Sequence, residues 1–161
     1  MTNDIILRDV TESDLPILFE QQLDPDATAM AAFPSRARDA FMAHWAKIMA
    51  DNSNILKAIV FEGQLVGNMG CWESSGEWEV GYWIGKEYWG KGIATKALSL
   101  FLGLVKTRPL YAHVAKHNRA SRRVLEKCEF KLTGEDKYFN PSGEEVEEFI
   151  LKLGGQEEET Q

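Results

Sequence analysis

Apolar residues recur along this chain with two periods, near two and near 3.6, and the switches between them mark its elements. Ile5-Ile6-Leu7-Arg8-Asp9-Val10 predicts a first strand. Thr11-Glu12-Ser13-Asp14 then opens a helix, with Thr11 able to cap it, Pro16 in its first turn, and Leu15, Leu18, Phe19 and Gln22 along one face. Asp24-Pro25-Asp26 breaks that helix, and Ala27 to Pro34 reads as an irregular loop carrying Met30 and Phe33. Helical spacing returns from Ser35 to Met49 through Phe41, Trp45, Ile48 and Met49.

Alternation then takes over. Ile55 to Phe61 and Gln64 to Trp72 predict a hairpin about Glu62-Gly63, and Ser74-Ser75-Gly76 turns the chain into a strand from Glu77 to Ile84. A helix from Thr95 to about Lys106 follows, then a buried strand, Leu110 to Val114, and a short helix, Ala120 to Lys127. Phe130 to Tyr138 and Val146 to Leu153 close the chain as a hairpin around Asn140-Pro141-Ser142-Gly143. The predicted order is β-α-α-β-β-β-α-β-α-β-β, without repeats or a linker. It implies one α+β domain around a mixed sheet over residues 1–153, and an acidic, disordered tail over residues 154–161.

Composition narrows the class. The 161 residues, 44% hydrophobic and 27% charged, suit a soluble globular domain, and no apolar run nears the roughly 18 residues of a membrane span. The start, Met1-Thr2-Asn3-Asp4, does not resemble a signal peptide, and Cys71 and Cys128 lack a neighbouring partner. Both read as buried small residues in a reducing, cytoplasmic setting. Of the net charge of −7, the stretch from Glu144 to Gln161 holds −6, with seven carboxylates and one lysine. The body is nearly neutral, with no basic face for nucleic acid and no basic amphipathic helix for a membrane.

The chemistry concentrates where the strand ending at Ile84 hands over to the helix beginning near Thr95. Tyr88-Trp89-Gly90-Lys91-Gly92-Ile93-Ala94-Thr95 places two glycines at a helix start, where backbone N–H groups and the helix dipole favour an anion. The spacing is not that of a Walker loop, since Ile93 follows Gly92 where lysine is needed, nor of a dinucleotide fingerprint, since Thr95 stands at the third glycine. A pyrophosphate site and a plain tight turn both remain open from these residues alone.

Two motifs in order resolve the ambiguity by resemblance. Trp89-Gly90-Lys91-Gly92-Ile93-Ala94 is similar to the Q/R-x-x-G-x-G/A loop of the GNAT superfamily of N-acetyltransferases, with Trp89 at the Gln/Arg position. Together with Glu79-Val80-Gly81-Tyr82-Trp83-Ile84, that departure resembles the branch of ribosomal-protein N-terminal acetyltransferases. Asn118-Arg119-Ala120-Ser121-Arg122-Arg123-Val124-Leu125-Glu126-Lys127, closed by Phe130, resembles the branch's N-x-x-S-x-x-V-L-E-K-x-G-F segment, with Glu129 at the usual glycine. Leu7-Arg8-Asp9-Val10-Thr11-Glu12-Ser13-Asp14 is also typical, so the resemblance spans about residues 5 to 153.

The resemblance implies a three-layer fold with a mixed, mostly antiparallel sheet, a splayed central strand pair and flanking helices. It implies acetyl-CoA as donor and no metal. The pyrophosphate would lie on Trp89, Gly90, Lys91, Gly92, Ile93, Ala94 and Thr95, and the pantetheine arm would pair with backbone near Trp83, Ile84 and Gly85. A bulge at Gly81 would splay that strand from Leu110 to Val114. Asn118 would hold the arm, cap the following helix, or both.

The implied reaction is direct attack of a primary amine, on a protein N-terminus or a small molecule, upon the thioester. Alternation puts Glu77, Glu79, Gly81 and Trp83 on one face, making Glu79 the candidate base acting through water. Ser121 is the candidate contact to the sulfur, where many members place an acidic tyrosine, and Tyr138 is a weaker acid candidate. Approximation alone can supply on the order of 7–11 kcal/mol, so a dedicated acid is dispensable. Loops 24–36 and 140–144 would shape the acceptor pocket, with Met30, Phe33 and Trp72 as its apolar candidates. Two other classes are a CoA-binding sensor without turnover and, against the loop's spacing, a nucleotide-binding ATPase. Monomer and homodimer are equally compatible with the sequence.

Overall fold

A computed structural model of the protein describes residues 4–154. The acidic tail predicted over 154–161 therefore lies outside the described residues except for Gly154. The chain runs β1 (Ile5–Asp9), a 3-10 turn (Glu12–Asp14), α1 (Leu15–Gln21), α2 (Pro25–Ala31), α3 (Arg38–Ala50), β2 (Ile55–Phe61), β3 (Gln64–Ser74) and β4 (Glu77–Ile84). A second 3-10 turn (Lys86–Tyr88) leads to α4 (Ile93–Leu104), β5 (Leu110–Ala115), α5 (Arg119–Lys127), β6 (Lys131–Phe139) and β7 (Glu145–Leu153).

The predicted order holds with one addition. The stretch read as an irregular loop contains α2, because Asp24 accepts hydrogen bonds from the Asp26 and Ala27 amides and Pro25 occupies the first helical position. The Asp-Pro-Asp signal ends one helix and starts another. Ala32 then stops α2 in a left-handed conformation, φ 58°.

The seven strands form one sheet in the order β1-β2-β3-β4-β5-β7-β6. All neighbours are antiparallel except β4 and β5. Helices cover both faces. On one, Ile93, Ala97, Leu98 and Phe101 of α4 and Leu125 of α5 pack on Val80, Ile84, Leu110, Ala112 and Leu151. On the other, Leu15, Leu18 and Phe19 of α1 and Phe41 and Trp45 of α3 pack on Ala58. Neighbouring Ala58 and Ile59, both fully buried, belong to opposite clusters, as strand alternation requires. Cys71 is buried and Cys128 half-buried, and both are free thiols. Burial pushes the Cys71 thiol up to about 11.

The sheet splits at its centre. β4 keeps an unbroken ladder with β3, from Gly67 opposite Ile84 to Ser74 opposite Glu77. β5 pairs with β7 from Leu110 opposite Leu153 to Ala115 opposite Glu148. Between β4 and β5 only Trp78–Leu110 and Glu79–Tyr111 are paired. The expected splay is present, but the bulge expected at Gly81 is not, since the β3–β4 register passes straight through it. Each central strand is held along its outer edge, so the strands diverge without one. Gly81 answers a different need, because a Cβ there would stand 2.8 Å from the Trp72 ring.

Candidate functional site

The split opens onto the glycine loop. Gly90 and Gly92 both take left-handed backbone, φ 78° and 76°, a region that other residues enter only with strain. Gly92 is the N-cap of α4, and the first backbone bond of that helix runs from the Lys96 amide to the Gly92 carbonyl. The amides of Ile93, Ala94 and Thr95 come before that bond and have no backbone partner among the described residues. Nothing lies within 4 Å of where a Cβ would stand on Gly90 or Gly92. The loop thus presents donors, the helix dipole and free approach, the requirements of a pyrophosphate.

The split itself supplies an open strand edge. The Gly85 amide donates to the Val66 carbonyl at 2.8 Å, and antiparallel bonding alternates, so Trp83 and Gly85 direct their backbone groups toward β3. Tyr82 and Ile84 direct theirs into the split, past the last rung to β5. Of the three residues predicted to meet an extended amide chain, Ile84 is the one aimed at it, and its carbonyl accepts from Trp89 Nε1–H at 2.9 Å. Trp89 at the Gln/Arg position therefore ties the loop back to β4. The Trp83 side chain faces the other way, with its Nε1–H donating to the Gln21 carbonyl of α1 at 3.3 Å.

A cavity of about 450 Å³ joins these parts, lined by Tyr82 to Ile84, Trp89, Gly90, Gly92 to Thr95, Asn118 and Ser121, and roofed by Ala27, Met30 and Ala31 of α2. The free loop amides at one end and the open β4 edge along its length fit a long, anionic, amide-bearing molecule such as a CoA thioester. Arg123 and Lys127, one helical turn apart on α5, line the same cavity and bring two cations to it. Lys91 is exposed at the loop.

Asn118 caps α5, its Oδ1 accepting from the Ser121 amide at 3.2 Å, so the capping role is present. Ser121 Oγ lies 2.7 Å from the Tyr82 hydroxyl. Burial pushes Tyr82 up to about 12, against the lowering effect of its bond to Ser121, so the phenol keeps its proton. Tyr138 lies beside Glu148 instead, and burial likewise raises it.

The opposite face of the split carries carboxylates. Glu79 is the last residue of β4 paired with β5. Its Oε2 lies 3.6 Å from His113 Nε2, and His113 Nδ1 lies 2.7 Å from Oε2 of the buried Glu148. Burial raises Glu79, with His113 opposing the shift, and the bond to Glu148 raises His113. Glu79 is half-buried rather than a free surface carboxylate. His113, Asp136 and Glu148 form a group whose ligating atoms lie within 4.8 Å of one another, with His113 and Glu148 joined by a hydrogen bond.

The two predicted acceptor loops meet above this face. Asn140 Nδ2–H donates to the Ala32 carbonyl at 3.1 Å, while its Oδ1 accepts from the Ser142 and Glu144 amides. His117 Nε2 stands 2.8 Å from the Ala29 carbonyl. These bonds hold α2 across the split and bring Met30 to the cavity. Trp72 instead covers Gly81, and Phe33 stacks under Arg36, 5.8 Å from its ring centre.

Residues 4–131 match the family model of the Acetyltransferase (GNAT) domain, and the chain belongs to that family of acetyltransferases. No curated protein matches the sequence. Among solved structures it is similar to the GNAT-family acetyltransferase of Bacillus anthracis, with TM-score 0.79 and 20% identity over 95% of this chain and 96% of that one. It is also similar to the spermidine N-acetyltransferase of Vibrio cholerae in complex with CoA and spermine, with TM-score 0.76 and 19% identity over 92% and 95%. A third is the aminoglycoside acetyltransferase AAC(6')-Ib in complex with coenzyme A, with TM-score 0.73 and 17% identity over 91% and 94%. At these identities the likeness is one of fold.

Sequence reasoning missed Tyr82, His113, Glu148, Arg123 and Lys127. The α5 pair had a readable signal, two cations one turn apart in the Asn118 motif. Tyr82 shares its strand face with Val80 and Ile84, and reads there as core. His113 and Glu148 come together only through the β5–β7 register.

Proposed function

We propose that the protein transfers an acetyl group from acetyl-CoA to a primary amine, on a protein N-terminus or a small molecule. The observation that carries this reading is the run of unpartnered amides from Ile93 to Thr95 opening onto the split between β4 and β5, in a chain of the GNAT family. Acetyl-CoA, when bound, supplies an activated acetyl carbonyl and a thiol leaving group. The loop of Trp89 to Gly92 favours the ribosomal-protein branch and hence a peptide α-amino group as acceptor.

The chain's own groups divide the remaining tasks. The amides of Gly92 to Thr95, with Arg123 and Lys127, hold the phosphates. The Tyr82 and Ile84 backbone aligns the arm, and Asn118 fixes the start of α5 beside it. Glu79, at the closed end of the split where β4 and β5 part, accepts the amine's proton directly or through a water. That step is easier for an α-amino group, with a pKa near 7.7–8.0, than for lysine at about 10.4. The Tyr82 and Ser121 hydroxyls share a hydrogen bond, and with Tyr82 as donor the serine hydroxyl proton is free to turn toward the cavity and meet the departing sulfur. The nitrogen sheds two protons in passing from ammonium to amide, so one leaves to solvent and one balances the proton given to the sulfur.

The test is thiol release from acetyl-CoA across a panel of peptide and small-molecule amines, alongside equilibrium binding of acetyl-CoA. Turnover with a subset of amines is expected. Tight binding with no turnover on any amine would leave a CoA-binding module and remove the enzymatic reading.

A further inference from the structure

The proposed base does not stand alone. Glu79 on β4 and His113 on β5 straddle the point where the two strands part, on the face away from α4 and α5. Continued by two residues, the parallel register sets His113 opposite Gly81, which has no side chain of its own, and the imidazole lies within 3.6 Å of Glu79. Its other nitrogen is committed to Glu148, which is 8% exposed and lies on β7. The imidazole itself keeps 26% of its side-chain surface open to solvent. A carboxylate, an imidazole and a buried carboxylate thus stand in line, and the imidazole between them is the member most open to solvent.

We propose that His113 is a positioning residue of the acetyl transfer: anchored by Glu148, it takes from Glu79 the proton that the acceptor ammonium gives up and passes it to solvent. This rests on the acetyltransferase reading above. The chemistry follows from the geometry. Ionised Glu148 can only accept a hydrogen bond, so Nδ1 carries the hydrogen and Nε2 presents its lone pair toward Glu79. A proton reaching Glu79 moves to Nε2, and the resulting imidazolium is stabilised by Glu148. The same logic orients the histidine of a catalytic triad. The ammonium loses one proton to Glu79, the neutral nitrogen bonds the carbonyl carbon as the carbon–sulfur bond breaks, and the thiolate takes a proton from the Ser121–Tyr82 pair. The nitrogen sheds its second proton as it becomes an amide, which restores that pair through solvent, so the net release is one proton. His113 returns its proton to water, so the chain ends each cycle unchanged.

Other charges face the line. Glu77 lies beside Glu79 on β4, Asp136 on β6 faces His113, and Tyr138 on β6 lies near Glu148. The charges that act on His113 are Glu148, Glu79 and Asp136, and each favours the protonated imidazole. Glu148 is the largest contributor, and His113 sits above its ordinary 6.5.

The experiment is the profile of kcat/KM between about pH 5.5 and 9, with one amine throughout so that its own ionisation is common to every variant. In the native protein the acid limb should lie above pH 6.5, because a protonated His113 cannot accept from Glu79. His113→Gln should lower kcat about 10²-fold, leave the Kd for acetyl-CoA unchanged, and move the acid limb down to that of Glu79. Glu148→Gln keeps the imidazole but removes its anchor, so the limb should also move down, with a smaller loss of rate. A merely structural role would lower kcat at every pH without moving the limb. If His113→Gln does not fold, His113→Asn and Glu148→Gln carry the test. Native rate and profile in the His113 variant, with turnover lost in Glu79→Gln, would overturn the relay alone. No thiol release by the native protein on any amine would overturn the acetyltransferase reading beneath it.

Discussion

The Tyr82 hydroxyl and Ser121 Oγ stand 2.7 Å apart, which joins β4 to α5 across the cavity. A half-buried phenol that keeps its proton and a serine at the first turn of α5 form a donor pair rather than two isolated hydroxyls. Tyr82→Phe and Ser121→Ala should each reduce kcat about tenfold with acetyl-CoA binding retained, if the pair reprotonates the thiolate. Because one acts through the other, the double variant should be no slower than Ser121→Ala. A double-mutant cycle on thiol release measures this, and additive losses would separate the two hydroxyls.

Gly92→Ala tests the loop. A methyl-bearing residue at φ 76° costs about 1–2 kcal/mol of stability, even though no neighbour obstructs it. The same strain disturbs the amides of Ile93 to Thr95, so acetyl-CoA affinity should fall together with the urea midpoint. A stability loss with affinity unchanged would move the phosphates elsewhere in the cavity.

Glu129 offers the reverse experiment. It stands at φ 76° just past α5, exposed, where glycine would be unstrained. The Phe130 amide still reaches the Leu125 carbonyl at 3.0 Å, so the turn forms around glutamate despite the strain. Glu129→Gly should stabilise the protein by about 1 kcal/mol and raise the Tm by about 2–4 °C. An unchanged or lower Tm would contradict the strain.

The β1–α1 connection should fail in acid. Asp14, 5% exposed, accepts from both terminal nitrogens of Arg8 at 2.8 Å and from the Thr11 amide, and these bonds hold its carboxyl below the ordinary 3.8. A lowered carboxylate contributes fully above its unfolded value, and the contribution disappears as pH falls through the folded one. Asp14→Asn should cost about 1–2 kcal/mol near neutrality, since Arg8 is partly exposed, and progressively less as pH falls below 3.8. Urea titrations of both proteins across about pH 2.5 to 6 would show the difference shrink toward the acid end, and a constant difference would rule out the ion pair as its cause.

The legible parts of this protein were those written in consecutive residues. Alternation gave the strands, and the Gly90–Gly92 junction and the Asn118–Ser121 segment are local motifs whose neighbours in sequence are neighbours in space. Helix α2 was lost because Asp24-Pro25-Asp26 carries a stop signal for α1 and a start signal for α2 at once. The Gly81 bulge was a local explanation for a non-local fact, since the split reflects where β7 inserts beside β5. Glu79 was readable from its strand face, whereas its partners His113 and Glu148 depend on two registers that no local pattern encodes.

The two rungs between β4 and β5 make the sheet mechanically two plates, β1-β2-β3-β4 and β5-β7-β6, stitched at one end. An extended amide chain lying in the gap would act as a removable strand, supplying the rungs that the polypeptide lacks. Amide exchange at Tyr82 should then slow on binding far more than exchange within the β3–β4 ladder. Each time product leaves, the protein unzips its own middle.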